Sequence, residues 1–252
     1  MRLRAQDSVE SATSNEPVVQ EQSLRTKLRS IYRKLWLVPR MRRKYGRMPI
    51  AEAFQQVYAT GMWDPSSTAA FDSGRGSGGA AAENYTALVL DFIRAQQIKS
   101  ITDLGCGDFR IGARLAPSVD RYTGVDIVPE LIDYHQSHSS NDRVQFACRN
   151  LLTDALPPAD LCLLRQVLQH LSNEEIETAL GRVSQYKFVL ISEHVPTRPR
   201  SYNADKPHGP DVRAFYDSGV YPDKPPFSRA VSRVWETPLE PGAQLRTVLL
   251  TN

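Results

Sequence analysis

Apolar positions along the chain follow two regimes. Up to about residue 97 they recur at helical spacing, and beyond it short apolar runs alternate with helix-like segments. Leu24, Leu28, Ile31 and Leu35 recur three or four positions apart, with Arg25, Lys27, Arg29, Arg33 and Lys34 between them. This predicts a basic amphipathic helix over 24–38, ended by Pro39. A second helix is expected over 50–60. A third is expected over 83–97, with Tyr85, Leu88, Val89, Phe92 and Ile93 on one face. Strands are expected at 100–104, 122–127, 144–148, 160–164 and 187–192, and helices at 111–116, from Pro129, and over 173–183. Ser172 followed by Glu175 has the spacing of a capping box at the start of the last helix. Such alternation predicts an α/β fold, a parallel sheet with helices on both faces. The stretch 196–228 is rich in proline and lacks periodicity, so it reads as a long loop, either functional or disordered. Segments 230–236 and 245–251 look like strands joined through Glu240-Pro241-Gly242, a hairpin.

Domain organisation follows from this pattern. Residues 1–23 are polar and aperiodic and are expected to form a disordered tail. The basic helical segment occupies 24–47, a helical lid 48–98, and the α/β domain 99–252.

Charge changes the picture at one place. The 252 residues carry a net charge of +3, yet 24–47 holds ten Lys or Arg and no Asp or Glu, leaving 21 basic against 28 acidic residues elsewhere. Three readings of 24–47 stand: peripheral contact with an anionic membrane, contact with nucleic-acid phosphates, or an apolar stripe packed on the domain beneath a solvated charged face. The net acidity elsewhere makes nucleic acid the weakest. No apolar run is long enough to span a bilayer, and the N-terminus lacks the pattern of a signal peptide. Cys106, Cys148 and Cys162 are scattered, without zinc spacing, which predicts reduced thiols, no metal site and a cytoplasmic protein, with peripheral placement at the inner membrane face as the membrane reading's consequence.

Candidate chemistry centres on one loop. The first strand runs into Gly105-Cys106-Gly107, and the second ends at Gly124-Val125-Asp126. Ligands of open α/β sheets sit beyond the carboxyl ends of the strands, and an acidic residue about 20 positions after such a loop accepts ribose hydroxyls. The third glycine of a dinucleotide fingerprint is missing, since Asp108-Phe109-Arg110 follows. Asp103, two positions before Gly105, suits a cofactor with an ammonium end. These features favour S-adenosylmethionine over NAD.

The motifs here resemble the class I S-adenosylmethionine-dependent methyltransferases. Asp103-Leu-Gly-Cys-Gly-Asp108 is similar to their first motif and Tyr122-Thr-Gly-Val-Asp126-Ile127 to the second. Val144 to Leu151 resembles the third, and Ala159 to Leu171 the fourth. The resemblance implies a Rossmann-like seven-stranded, mostly parallel sheet with a C-terminal antiparallel hairpin. It places Gly105 and Gly107 along the methionine part, Asp126 on the ribose, Ile127 on adenine and Asn150 near the adenine amine. Asn150 stands where relatives commonly carry Asp, and accepts through its amide oxygen. Leu151 and Arg165 fall among the cofactor-binding positions. Phe109 departs from the family's glycine and is expected to close one side of the pocket. Phe54 to Tyr58, Trp63 and the loop Ser73 to Gly78 resemble an N-terminal lid in which Arg75 pairs with the cofactor's carboxylate; the alternative is a flexible linker.

Methyl transfer to a hydroxyl calls for alignment and usually a general base. His170 follows the fourth strand and His194 the fifth, so both are candidates, with a structural role the main alternative for His170. Glu193 reads as base, acceptor ligand or neither. Polar and aromatic residues of 203–227 (Asp205, His208, Asp211, Arg213, Tyr216, Tyr221) suit a hydroxylated small molecule or saccharide, and equally an ordered surface loop. The expected activity is methyl transfer to oxygen, with cell-envelope glycan synthesis as one setting. An RNA methyltransferase and a non-catalytic cofactor-binding regulator are the alternatives. The sequence does not specify an oligomeric state.

Overall fold

The computed structural model describes residues 32–252. The expected tail and the first turns of the basic segment lie outside the described residues.

Five parallel strands form as the alternation predicts: β1 (Ser100–Leu104), β2 (Arg121–Asp126), β3 (Val144–Cys148), β4 (Leu161–Arg165) and β5 (Phe188–Pro196). Every residue of β1 is buried, as expected for a strand covered on both faces. Two short strands in the proline-rich stretch, β6 (Ser201–Tyr202) and β7 (Ser218–Gly219), pair with each other. The C-terminal strands β8 (Arg233–Pro238) and β9 (Ala243–Thr251) form the expected hairpin and join the sheet antiparallel to β5. The order is β3-β2-β1-β4-β5-β9-β8, a Rossmann-like seven-stranded sheet. Its direction of growth reverses between β1 and β4, where open α/β sheets form a ligand crevice.

Helices cover both faces. α1 (Val38–Tyr45), α2 (Ile50–Ala59) and α3 (Gly79–Gln96) precede the sheet, and α4 (Gly112–Leu115), α5 (Pro129–His138) and α6 (Asn173–Val183) connect its strands. α3 buries Tyr85, Val89, Phe92 and Ile93 in one core. α6 buries Ile176, Ala179, Leu180 and Val183 in the other, at helical spacing. Its capping box is formed: Glu175 N donates to Ser172 Oγ at 3.2 Å and Ser172 N to Glu175 Oε2 at 2.7 Å. No described helix is long and apolar enough to cross a membrane.

Three expectations are corrected. Pro39 does not end the basic helix: a π-helical turn over Arg33–Leu37 leads into α1, whose first turn contains Pro39. A first turn needs no proline N–H, so the ring is accommodated there. β5 runs four residues past its expected end, because β9 pairs with it from Phe188↔Thr251 to Pro196↔Ala243. The proline-rich stretch is a structured wall. Buried Arg213 donates to the carbonyls of Leu168, Gln169, Leu171 and Ala204, pinning the segment after β4.

Phe109 is the fourth correction. It adopts φ +61° and turns inward, with ring centroids 4.8 Å from Phe146 and 5.6 Å from Tyr122. The Gly112 backbone lies so close that a Cβ there would meet the Phe109 ring at 2.2 Å. Phe109 is half-buried and packs against the core, and it does not line the cavity. Phe109→Ala is expected to lower unfolding stability by about 2–3 kcal/mol in a denaturant titration, while leaving S-adenosylhomocysteine affinity within about twofold.

Candidate active site

A cavity of about 940 Å³ opens at the switch point, beyond the carboxyl ends of β1, β2 and β4. Asp103, Gly105, Gly107, Asp126, Ile127, Asn150, Leu151, Arg165, His170 and His194 all line it. Strand ends place the charged ones: Asp103 lies one residue from the end of β1, Asp126 closes β2 and Arg165 closes β4.

The loop geometry explains both glycines. Gly105 and Gly107 have φ +78° and +52°, in the region that favours glycine. A Cβ on Gly107 would also fall 2.3 Å from Ser73 Oγ. Gly107 N donates to Asp126 Oδ2 and Val128 N to Asp126 Oδ1, each at 3.2 Å. The second strand's carboxylate therefore anchors the loop while retaining lone pairs for a ligand.

Two opposite charges meet in the cavity. Asp103 accepts from Tyr122 Oη at 2.8 Å, and burial pushes its carboxyl up to about 6. Arg165 is largely buried, and burial lowers its pKa. Its guanidinium lies 5.1 Å from the Tyr85 ring centroid and Nη2 donates to Gly76 O. Nε has no hydrogen-bond partner among the described residues. A buried cation left with an unused donor is costly unless something pairs with it. An α-amino acid end, with an ammonium for Asp103 and a carboxylate for Arg165, fits this pair. Arg75 belongs to a short 3-10 turn, Arg75–Ser77, but its side chain lies outside the described residues.

Asn150 lines the cavity with its amide oxygen already engaged once. Its Oδ1 accepts from Leu152 N at 2.9 Å, and its backbone N donates to Asp154 Oδ2 at 2.8 Å. The amide oxygen thus closes a local turn and keeps a single lone pair for another donor.

The N-terminal segment covers the loop. Asp108 Oδ2 accepts from Ser73 N at 3.0 Å and Ser77 Oγ at 2.8 Å, and Asp108 N donates to Ser73 Oγ at 2.8 Å. Tyr58 Oη shares a 3.0 Å hydrogen bond with Ser73 Oγ. Ser73 to Ser77 is hydrogen-bonded to the loop and is not a free linker. No local pattern in the sequence marks these contacts, because their partners lie about 35 residues apart and each is an ordinary polar residue.

The imidazoles differ in setting. His170 Nδ1 lies 3.2 Å from Gly209 O, which can only accept, so Nδ1 carries the proton and Nε2 the lone pair. Burial pushes its pKa down to about 4. Its ring packs against Trp63 and Phe54, with centroids 5.4 and 6.1 Å apart. Burial also lowers His194. Trp63 Nε1 and Gln169 Oε1, a donor and an acceptor on the same cavity, have no partners among the described residues.

Glu193 does not line the cavity. It is 1% exposed, and its oxygens accept from Leu168 N at 2.9 Å and Gln169 N at 3.2 Å. Burial pushes its carboxyl up to about 8. Its inward side of β5 faces the segment after β4, so it holds that backbone and cannot reach an acceptor. From the proline-rich stretch, Pro210, Asp211, Val212 and Phe215 line the cavity. Among the other candidates there, His208 pairs with Glu175 at 2.7 Å, and Asp205 accepts from Asn173 N at 2.8 Å. No group of side chains with metal-binding composition occurs among the described residues.

Comparison with known proteins agrees with this architecture. Residues 101–186 match the family model described as a methyltransferase domain. An uncharacterized methyltransferase of Mycobacterium tuberculosis is 31% identical over 102 residues, covering 40% of this chain and 50% of that protein. An uncharacterized RNA methyltransferase of Chlamydia muridarum is 29% identical over 121 residues, covering 44% of this chain and 30% of that protein. The match thus spans half or less of these relatives' length. Among solved structures, human N-acetylserotonin methyltransferase in complex with S-adenosylmethionine aligns with TM-score 0.52 and 17% identity, covering 90% of this chain and 68% of that one. The N-methyltransferase NodS from Bradyrhizobium japonicum, in complex with S-adenosylhomocysteine, aligns with TM-score 0.50 and 14% identity, covering 68% of this chain and 86% of that one. At these identities the structural likeness is one of fold. Strand order and ordered motifs agree with the family match: this chain is similar to class I S-adenosylmethionine-dependent methyltransferases in fold, and residues 101–186 match a methyltransferase domain.

Proposed function

We propose that this chain transfers a methyl group from S-adenosylmethionine to a hydroxyl oxygen of a small acceptor with an apolar body. The observation that carries the cofactor assignment is the buried pair of Asp103 and Arg165, a carboxylate and a guanidinium lining one cavity. Asp103 holds the ammonium, Arg165 the carboxylate, and Asp126 the ribose hydroxyls. When bound, the cofactor supplies an electrophilic methyl group open to in-line displacement. Ser73, Ser77 and Asp108 hold the lid over the loop and exclude water.

The acceptor side rests on the rest of the lining. Met41, Phe54, Met62, Trp63, Phe215 and Leu239 make an apolar wall. That wall favours an apolar or aromatic body over a free saccharide. His170 Nε2 already accepts from Gln169 Nε2 at 3.4 Å, and with its pKa pushed down to about 4 this ring does not take the acceptor's proton. His194 is then the proton acceptor. The printed name of the Chlamydia relative raises a second reading, transfer to RNA. The excess of 28 acidic over 21 basic residues outside 24–47 argues against a phosphate-binding surface around this cavity.

Tritiated-methyl cofactor offered with apolar phenols and alcohols, saccharides and RNA tests this. Label is expected on the apolar hydroxyl compounds. Label on RNA alone, or tight cofactor binding with no acceptor labelled, contradicts the proposal, and the latter outcome favours a regulatory module.

A pH dependence follows from Asp103. Only its ionised form holds an ammonium, and its carboxyl in the free chain titrates at about 6. Affinity for S-adenosylhomocysteine is therefore expected to be level above pH 7. It should fall about tenfold per pH unit below 6. Calorimetric titrations between pH 5 and 8 read this directly, and Asp103→Asn should flatten the profile.

A further inference from the structure

Tyr32 and the π-helical turn before α1 carry an apolar face that has no partner among the described residues. Tyr32, Leu35, Trp36 and Leu37 are 61%, 66%, 62% and 41% exposed, four large apolar side chains within six residues. Beyond this turn the chain commits to the domain. Val38 and Tyr45 are buried, and Arg42 Nε pairs with buried Asp211 at 3.0 Å. α1 thus holds the exposed face at a fixed place instead of letting it fold back on the core.

Charge selects the occupant. The segment 24–47 carries ten cations and no anion, while the remainder of the chain is net acidic. A second copy would set one cationic segment against another. An anionic bilayer satisfies both properties at once, with apolar and aromatic side chains at the headgroup boundary and Lys and Arg among the phosphates. The acidic remainder of the chain is repelled from the same surface, which orients the molecule. We propose that Tyr32 to Leu37 and the surrounding cations dock this protein peripherally on an anionic membrane surface. Leu37 and Met41 also line the cavity, so docking sets the site beside the bilayer. Resting on the proposed methyl transfer, this identifies the acceptor class as an amphiphile taken from the membrane.

Sedimentation of the full chain with vesicles tests the docking. The full chain is expected to bind vesicles of phosphatidylcholine with about one third phosphatidylglycerol, and to bind pure phosphatidylcholine at least about tenfold more weakly. Leu35→Glu with Trp36→Glu should weaken binding to the anionic vesicles at least about tenfold, and so should about 0.5 M salt. Unchanged S-adenosylhomocysteine binding by the variant shows that the fold is intact. Equal vesicle binding by wild type and variant, no binding by wild type, or preferential capture by double-stranded RNA added as competitor overturns the docking. Loss of cofactor binding by wild type would overturn the proposed function and leave this vesicle result standing by itself.

Discussion

Replacing Arg165 with Met is expected to weaken S-adenosylhomocysteine binding about 100-fold in a calorimetric titration. Its guanidinium is largely buried, its Nε has no partner among the described residues, and its Nη2 is committed to Gly76 O. A ligand carboxylate would gain charge-assisted hydrogen bonds from a group that sheds little further solvation. Such bonds contribute about 1.5–3 kcal/mol each, and about 2.7 kcal/mol corresponds to 100-fold. Met fills a similar volume beside Tyr85, so the fold should survive. Lys should not restore affinity, because a single ammonium cannot reproduce the planar fork of donors. An Arg165→Met variant that binds as wild type would move the amino-acid end elsewhere.

Asp126→Ala is expected to have an effect at least as large, about 100-fold or more. Two losses combine. The ribose hydroxyls lose their acceptor, and Gly107 N and Val128 N lose theirs, so the loop itself is released. Asp126→Asn separates the two. It keeps an oxygen for one backbone donor but lacks the charge, and a loss of about tenfold is expected. Equal losses in Ala and Asn would show that charge on the ribose matters more than the loop anchor.

Much of the fold was legible because its causes are local. The capping box of α6 depends on Ser172 and Glu175, three residues apart, and both its hydrogen bonds are formed. β1 and β3 were marked by apolar runs and have the expected bounds. The sequence marks β5 only up to residue 192, because Ser192-Glu193-His194 breaks its apolar run. The structure shows why polarity is tolerated there: Ser192 Oγ shares a 2.8 Å hydrogen bond with Thr247 Oγ1, and Glu193 accepts from two backbone donors. Those partners are distant in sequence and leave no pattern. Arg213 follows the same logic. In the sequence it is one charged residue in a loop, but in the fold it is 1% exposed and braces the segment after β4.

The site divides in the same way. Gly105, Gly107 and Asp126 could be read from a contiguous motif and its spacing. Asp103 and Arg165 sit on adjacent strands that the sequence separates by about 60 residues, and only the sheet brings their charges to one cavity. Phe109 was misread because its position in the motif suggested the cofactor, whereas its φ of +61° turns the ring toward Phe146. Trp63 was visible as part of a lid. That its Nε1 and the Gln169 Oε1 on the same cavity lack partners among the described residues has no sequence signal.

The central claim, that this cavity holds S-adenosylmethionine, is tested most directly by titrating the wild-type chain with S-adenosylhomocysteine in a calorimeter at pH 7.5. One site per chain with a dissociation constant in the micromolar range, about −8 kcal/mol, is the predicted result. A folded chain that gives no saturable binding up to about 1 mM ligand, weaker than about −4 kcal/mol, would contradict it.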